Sequence, residues 1–172
     1  MIEIKGNLWN QPGKIVVITT NGTVRKDKEA VMGKGCALEA KSKYLDLSKL
    51  LGNNIIYKGN HVYPFYENVI GHPEIITFPV KHNWWEKADL KLIEQSCKEL
   101  VELNKVISKG LESGESFYHE YVIPRPGCGN GGLDWRDVKP ILEKYLVDDR
   151  FHIISFWMRG DENEFRNRIG LR

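Results

Sequence analysis

Two glycine-rich turns are the strongest chemical signal in this chain: Met32-Gly33-Lys34-Gly35-Cys36-Ala37 and Pro126-Gly127-Cys128-Gly129-Asn130-Gly131-Gly132. Each follows an apolar strand-like run, the first after an intervening loop, and each leads into a helix-like stretch. Glycine lets a backbone turn tightly and lets a ligand come close, while free N–H groups at a helix start attract phosphate oxygens. Taken singly, each reads as an ordinary tight turn. Gly33-Lys34-Gly35 lacks the GxxxxGK[ST] spacing of a nucleotide-hydrolysing P-loop, and the second run does not give a dinucleotide fingerprint. As a pair at the carboxyl ends of strands, where open α/β sheets bind ligands, they suit a diphosphate.

A second group of reactive side chains lies between them. Lys81 ends the apolar run Phe78-Pro79-Val80. From its type alone it is an exposed lysine closing a strand or neutralising a phosphate. His82 follows and is able to shuttle protons near neutral pH, although a lone loop histidine more often has no such task. Trp84-Trp85 reads either as core or as a stacking wall for a base. Asp134 reads as the N-cap of a helix at Trp135, with general base as the alternative. The three cysteines, Cys36, Cys97 and Cys128, show no CxxC or Cys/His ligand spacing, so no disulfide framework and no metal site is expected. Cys36 and Cys128 lie in the two loops and raise the idea of a thiol nucleophile. A small buried hydrophobe is the stronger reading of both.

The elements that must hold these residues alternate. Runs at 2–4, 14–20, 54–58, 61–66, 74–80, 117–123 and 151–157 read as strands. Helices are expected from Gly35 to Tyr44, from Asp89 as N-cap through 109, and over 135–145. Strand and helix alternation gives an α/β class with a mixed, mostly parallel sheet. At 172 residues with 41% hydrophobic side chains, one domain is expected over 1–158, followed by a charged tail over 159–172. No apolar stretch approaches the roughly 20 residues of a membrane helix, and the expectation is a soluble, cytoplasmic monomer without membrane association. A net charge of +2 is too mild for a non-specific nucleic-acid binder. The seven Lys/Arg against four acids over 25–49 read as a solvated helix face.

The ordered set Lys5-Gly6-Asn7-Leu8, Ala30 to Ala37, Phe78-Pro79-Val80-Lys81-His82-Asn83-Trp84 and Ile123 to Trp135 resembles the macro-domain family across nearly the whole chain. It is most similar to the branch of terminal ADP-ribose glycohydrolases and DNA ADP-ribosyl glycohydrolase antitoxins. The resemblance implies a three-layer fold with helices on both sheet faces, and a site for ADP-ribose or an ADP-ribosylated substrate, with nucleic acid entering only as modified substrate and no cofactor. Gly33, Lys34, Gly35, Cys36 and Ala37, with Met32, would wrap the diphosphate. Pro126, Gly127, Cys128, Gly129, Asn130, Gly131 and Gly132 would close over the diphosphate and distal ribose. Asn7, beside Leu8, stands where many relatives use an aspartate for the adenine amino group, and an amide lacks that charge. Phe156 or Trp157 would face adenine, and Asn21 is the remnant of an asparagine-rich loop used in another macro-domain mechanism. Lys81 would be catalytic, as nucleophile or electrostatic activator at the anomeric carbon, with His82 and Asp134 as further candidates. Gly131 departs from the pattern, since one hydrolase of the branch carries an acid there. The implied activity is hydrolysis of ADP-ribosyl linkages; the alternatives are a non-catalytic binding module and an ADP-ribose-1-phosphate phosphatase.

Overall fold

The run Lys14–Asn21 is apolar on both of its faces because it becomes an inner strand, flanked on each side. A computed structural model describes residues 1–66, 73–109 and 118–155 of the chain. Six strands, β1 (Ile2–Lys5), β2 (Lys14–Asn21), β3 (Tyr63–Phe65), β4 (Ile75–Lys81), β5 (Glu120–Pro124) and β6 (Phe151–Ser155), form one sheet in the order β1-β6-β5-β2-β4-β3. Every pairing is parallel except β3 with β4. The four helices are α1 (Gly35–Lys43), α2 (Leu47–Lys58), α3 (Leu90–Ser108) and α4 (Trp135–Tyr145).

Side chains alternate across the sheet with period two and feed two cores. Ile15 and Val17 of β2, Ile76, Phe78 and Val80 of β4, and Tyr121 and Ile123 of β5 pack with Ile93, Cys97 and Leu100 of α3 and Val138 and Leu142 of α4. On the other side, Ile18 and Ile75 pack with Ala37, Ala40, Leu47 and Leu51 of α1 and α2. Helices on both faces of a mixed sheet make the three-layer α/β arrangement expected from the sequence. The helix at 135–145 and the Asp89 cap also agree: the Asp89 side chain accepts from the Lys91 N–H at 2.8 Å.

One expected strand is wrong. Residues 54–58 form the last turns of α2, although Ile55, Ile56 and Tyr57 favour strands. Gly52 is inside this helix, and the 28–30 segment crosses it there. A Cβ at Gly52 would lie 2.0 Å from the Lys28 carbonyl oxygen. Contact with that segment, which leads into the first glycine loop, overrides the local propensity. Among the described residues no helix is long and apolar enough to cross a membrane.

Candidate functional site

The first loop is anchored at its base and open at its tip. Asn21, the last residue of β2, donates from Nδ2 to the Val31 carbonyl at 2.8 Å and accepts the Thr23 N–H at 3.0 Å. The Val31 N–H in turn donates to the Thr23 carbonyl at 2.9 Å. Ala30 and Met32 are buried, whereas Gly33, Lys34 and Gly35 are exposed. The helix that follows has Lys34 as its N-cap, with no side-chain cap and no acid in its first turn. Its leading N–H groups and the positive end of its dipole are thus left for an anion.

The second loop folds on itself. The Leu133 N–H donates to the Gly127 carbonyl at 3.0 Å and the Gly132 N–H to the Gly129 carbonyl at 3.1 Å. Glu3 of β1 steadies its flanks, accepting from Arg125 at 3.1 Å, Trp135 at 3.2 Å and Lys139 at 2.6 Å. Gly131 is buried, and a Cβ there would lie 2.3 Å from the Gly127 carbonyl oxygen. An acid at this position would meet the loop's own backbone. The two loops face each other, since a Cβ on Gly35 would come within 3.2 Å of the Asn130 side-chain nitrogen.

Lys81 reaches this junction. Its Nζ donates to the Asn130 carbonyl at 2.7 Å. The backbone around it is fixed by the Gly22 N–H, 3.2 Å from the Lys81 carbonyl oxygen, and by Asn60 Nδ2, 2.9 Å from the same oxygen. His82 points elsewhere: its Nε2 pairs with Asp89 at 3.0 Å, and this hydrogen bond holds the Asp89 carboxyl below its usual range. Past His82, Trp84 and Trp85 are exposed and meet edge to face at 5.7 Å, so the core reading of these rings fails.

The remaining candidates are placed as follows. Asn7 is exposed and its Oδ1 accepts the Trp9 N–H at 2.8 Å, while Leu8 is fully buried with Val122 and Ile154. Phe156 and Trp157 lie outside the described residues. All three cysteines are free. Cys36 contacts the Thr19 hydroxyl at 3.3 Å, and Cys128 the Pro126 carbonyl at 3.5 Å. Burial pushes the Cys36 thiol up and raises Cys128 to about 11, which argues against a thiolate nucleophile at neutral pH.

Asp134 caps α4, accepting the Arg136 N–H at 2.8 Å, and also pairs with the Arg136 guanidinium at 2.8 Å. The Arg136 side-chain hydrogen bond lowers its carboxyl to about 2, which makes it a poor base. Its folded pKa is depressed, so its contribution to stability is present above the ordinary value of 3.8 and is lost as pH falls toward about 2. Asp134→Asn, which keeps the cap, is expected to weaken the acid dependence of thermal unfolding, and an unchanged acid dependence would contradict this pairing with Arg136.

Sequence reasoning missed several supporting residues. Trp9 donates through Nε1 to Glu39 of α1 and packs under Lys43 at 5.2 Å, tying the 7–9 turn to the first loop's helix. Thr19, Thr23 and Asn60 position Cys36, Trp84 and Lys81 from distant segments. Two surface clefts, one at Glu94, Ile141 and Tyr145 and one at Tyr44, Leu47, Leu50 and Phe65, include no residue of either glycine loop.

No protein-family model matches the chain. Among solved structures it resembles the macrodomain of Mycobacterium tuberculosis DarG, with a TM-score of 0.70, 23% identity and coverage of 90% of this chain and 95% of that one. It also resembles Thermosipho africanus DarTG in complex with ADP-ribose, with a TM-score of 0.69, 22% identity and coverage of 91% and 42%. The fold is that of a macrodomain.

Within that class the sequence similarity runs to proteins named DNA ADP-ribosyl glycohydrolase. The Thermus aquaticus protein is 28% identical over 148 residues, 83% of this chain and 37% of that protein. The Mycobacterium tuberculosis protein is 32% identical over 116 residues, 65% of this chain and 30% of that protein. The chain thus spans about a third of the length of these curated relatives.

Proposed function

We propose that the two glycine loops bind ADP-ribose and that the domain hydrolyses ADP-ribosyl linkages at the distal ribose, with modified DNA as the substrate. The observation that carries this reading is the Lys81 ammonium on the Asn130 carbonyl, 2.7 Å away, at the place where Gly35 of the first loop meets Asn130 of the second. A diphosphate held by the α1 N-terminus and the second loop leaves the attached ribose beside Lys81. The bond from the anomeric carbon to the leaving group breaks, one water is consumed, and ADP-ribose and the unmodified group are released. The names of the sequence relatives support DNA as the attached macromolecule, and the macrodomain solved with ADP-ribose supports the ligand. Lys81 carries the chemistry in this reading, while His82 and Asp134 serve the ends of α3 and α4. The domain acts in the cytoplasm as a monomer. The test is release of ADP-ribose from ADP-ribosylated DNA, ADP-ribosylated protein and ADP-ribose-1-phosphate by the parent and by Lys81→Ala. Tight ADP-ribose binding without release from any of the three would favour a pure binding module, a reading to which the steric exclusion of an acid at Gly131 lends weight.

A further inference from the structure

The segment between Lys81 and Asp89 leaves the sheet and returns to it, and both of its ends are bonded to the second glycine loop. Lys81 Nζ donates to the Asn130 carbonyl at 2.7 Å, and the Ala88 N–H donates to the Gly131 carbonyl at 2.9 Å. Its middle is tied to the other side of the site by the Trp84 N–H, which donates to the Thr23 hydroxyl at 3.1 Å. Thr23 itself bonds the Val31 N–H leading into the first loop. The tip of this excursion is therefore held at the rim where the two loops meet.

That tip is a turn whose two central residues are Trp84 and Trp85. The turn is closed by the Glu86 N–H on the Asn83 carbonyl at 3.2 Å, and by the Glu86 carboxylate, which accepts the Asn83 N–H and Nδ2 at 2.9 Å each. These bonds are made by Asn83 and Glu86 and by backbone, so the tryptophan rings are not needed to make the turn. Trp84 and Trp85 are 53% and 63% exposed, more than a buried core role would leave to either. Lys87 follows two positions after Trp85, and its side-chain carbons pass 3.8 and 3.9 Å from where a Cβ of Gly132 would lie, on the second glycine loop. Exposed aromatic faces next to a cation are how single-stranded nucleic acid is held without sequence reading, with bases stacking on the rings and phosphates meeting the charge.

Resting on the reading of the site given above, we propose that Trp84 and Trp85 are the platform on which the leaving nucleobase and its neighbour stack, with Lys87 meeting the adjoining phosphate. These residues then set the preference for DNA over leaving groups that lack a ring. They position the substrate and take no part in bond breaking.

The test compares an ADP-ribosylated single-stranded DNA oligonucleotide with ADP-ribose alone, titrated calorimetrically into Lys81→Ala protein so that nothing turns over. Trp84→Ala/Trp85→Ala and Trp84→Phe/Trp85→Phe are added in the same background. The oligonucleotide is expected to bind roughly tenfold or more tighter than ADP-ribose. The alanine pair should erase that increment while ADP-ribose affinity stays at the Lys81→Ala value, and the phenylalanine pair should keep most of it. Equal binding of both ligands before substitution, an undiminished increment in the alanine pair, or a matched loss toward ADP-ribose would each overturn the platform. A parent protein that binds the oligonucleotide preferentially but never cleaves it would overturn the proposed hydrolysis and leave the platform standing.

Discussion

Lys81→Ala is expected to abolish release of ADP-ribose from ADP-ribosylated DNA while leaving affinity for free ADP-ribose nearly intact. The split follows from where Lys81 reaches. Its ammonium touches the second loop through one carbonyl, whereas the proposed diphosphate cradle is the backbone of the two loops and the uncapped start of α1. Removing one preorganised charge beside a reacting centre costs on the order of 10²-fold or more in rate. Lys81→Arg separates the two roles open to the lysine. It keeps a permanent charge, so it recovers part of the rate where the charge does the work and none where a free amine attacks. The measurement is single-turnover release alongside calorimetry. Unchanged release by Lys81→Ala would remove the lysine from the chemistry altogether.

Gly131→Ala is expected to damage binding instead, and Gly131→Asp more so. A Cβ at this buried position would lie 2.3 Å from the carbonyl oxygen and 2.6 Å from the Cα of Gly127, both backbone atoms of the same loop. The loop must open to accept it, and the Ala88 N–H bond to the Gly131 carbonyl and the Lys81 bond to Asn130 shift with it. Overpacking of this kind costs about 1–3 kcal/mol, which as lost affinity for ADP-ribose is roughly 5- to 150-fold. The displacement falls on Gly127, which has Leu133, Ala88 and Ile93 close beside it, so a loss of thermal stability is expected together with the loss of binding. Calorimetry with ADP-ribose, paired with thermal unfolding, checks both halves. A Gly131→Asp protein that binds normally and hydrolyses faster would show that the loop has room for an acid after all.

The loops were legible because glycine spacing reports backbone demands directly, and the capping role of Asp134 was legible because it is local to its own helix. Continuous β-branched and apolar runs, such as Lys14–Asn21 and Ile75–Lys81, were legible as strands buried on both faces. What stayed hidden depends on contacts between distant segments. Residues 54–58 carry strand-forming side chains, yet they are helical because Gly52 accepts the backbone of residues 28–30 against it. Asn60 holds the Lys81 carbonyl across 21 positions, and Trp9 reaches Glu39 across 30, distances over which no local pattern speaks. The bonding of the 81–89 excursion to Asn130 and Gly131 was equally invisible, and it is what turns an ambiguous Trp-Trp pair into an exposed rim.

The central claim is that ADP-ribose lies between the two glycine loops. Titration of ADP-ribose into isotope-labelled protein, followed by backbone amide chemical shifts, tests it directly. Saturable shifts are predicted to be largest at Gly33, Gly35, Cys36 and Ala37 and at Gly127 to Gly132, with residues around Tyr44 and Phe65 and around Ile141 and Tyr145 barely moving. Shifts concentrated in either of those two clefts, or none that saturate, would contradict the account.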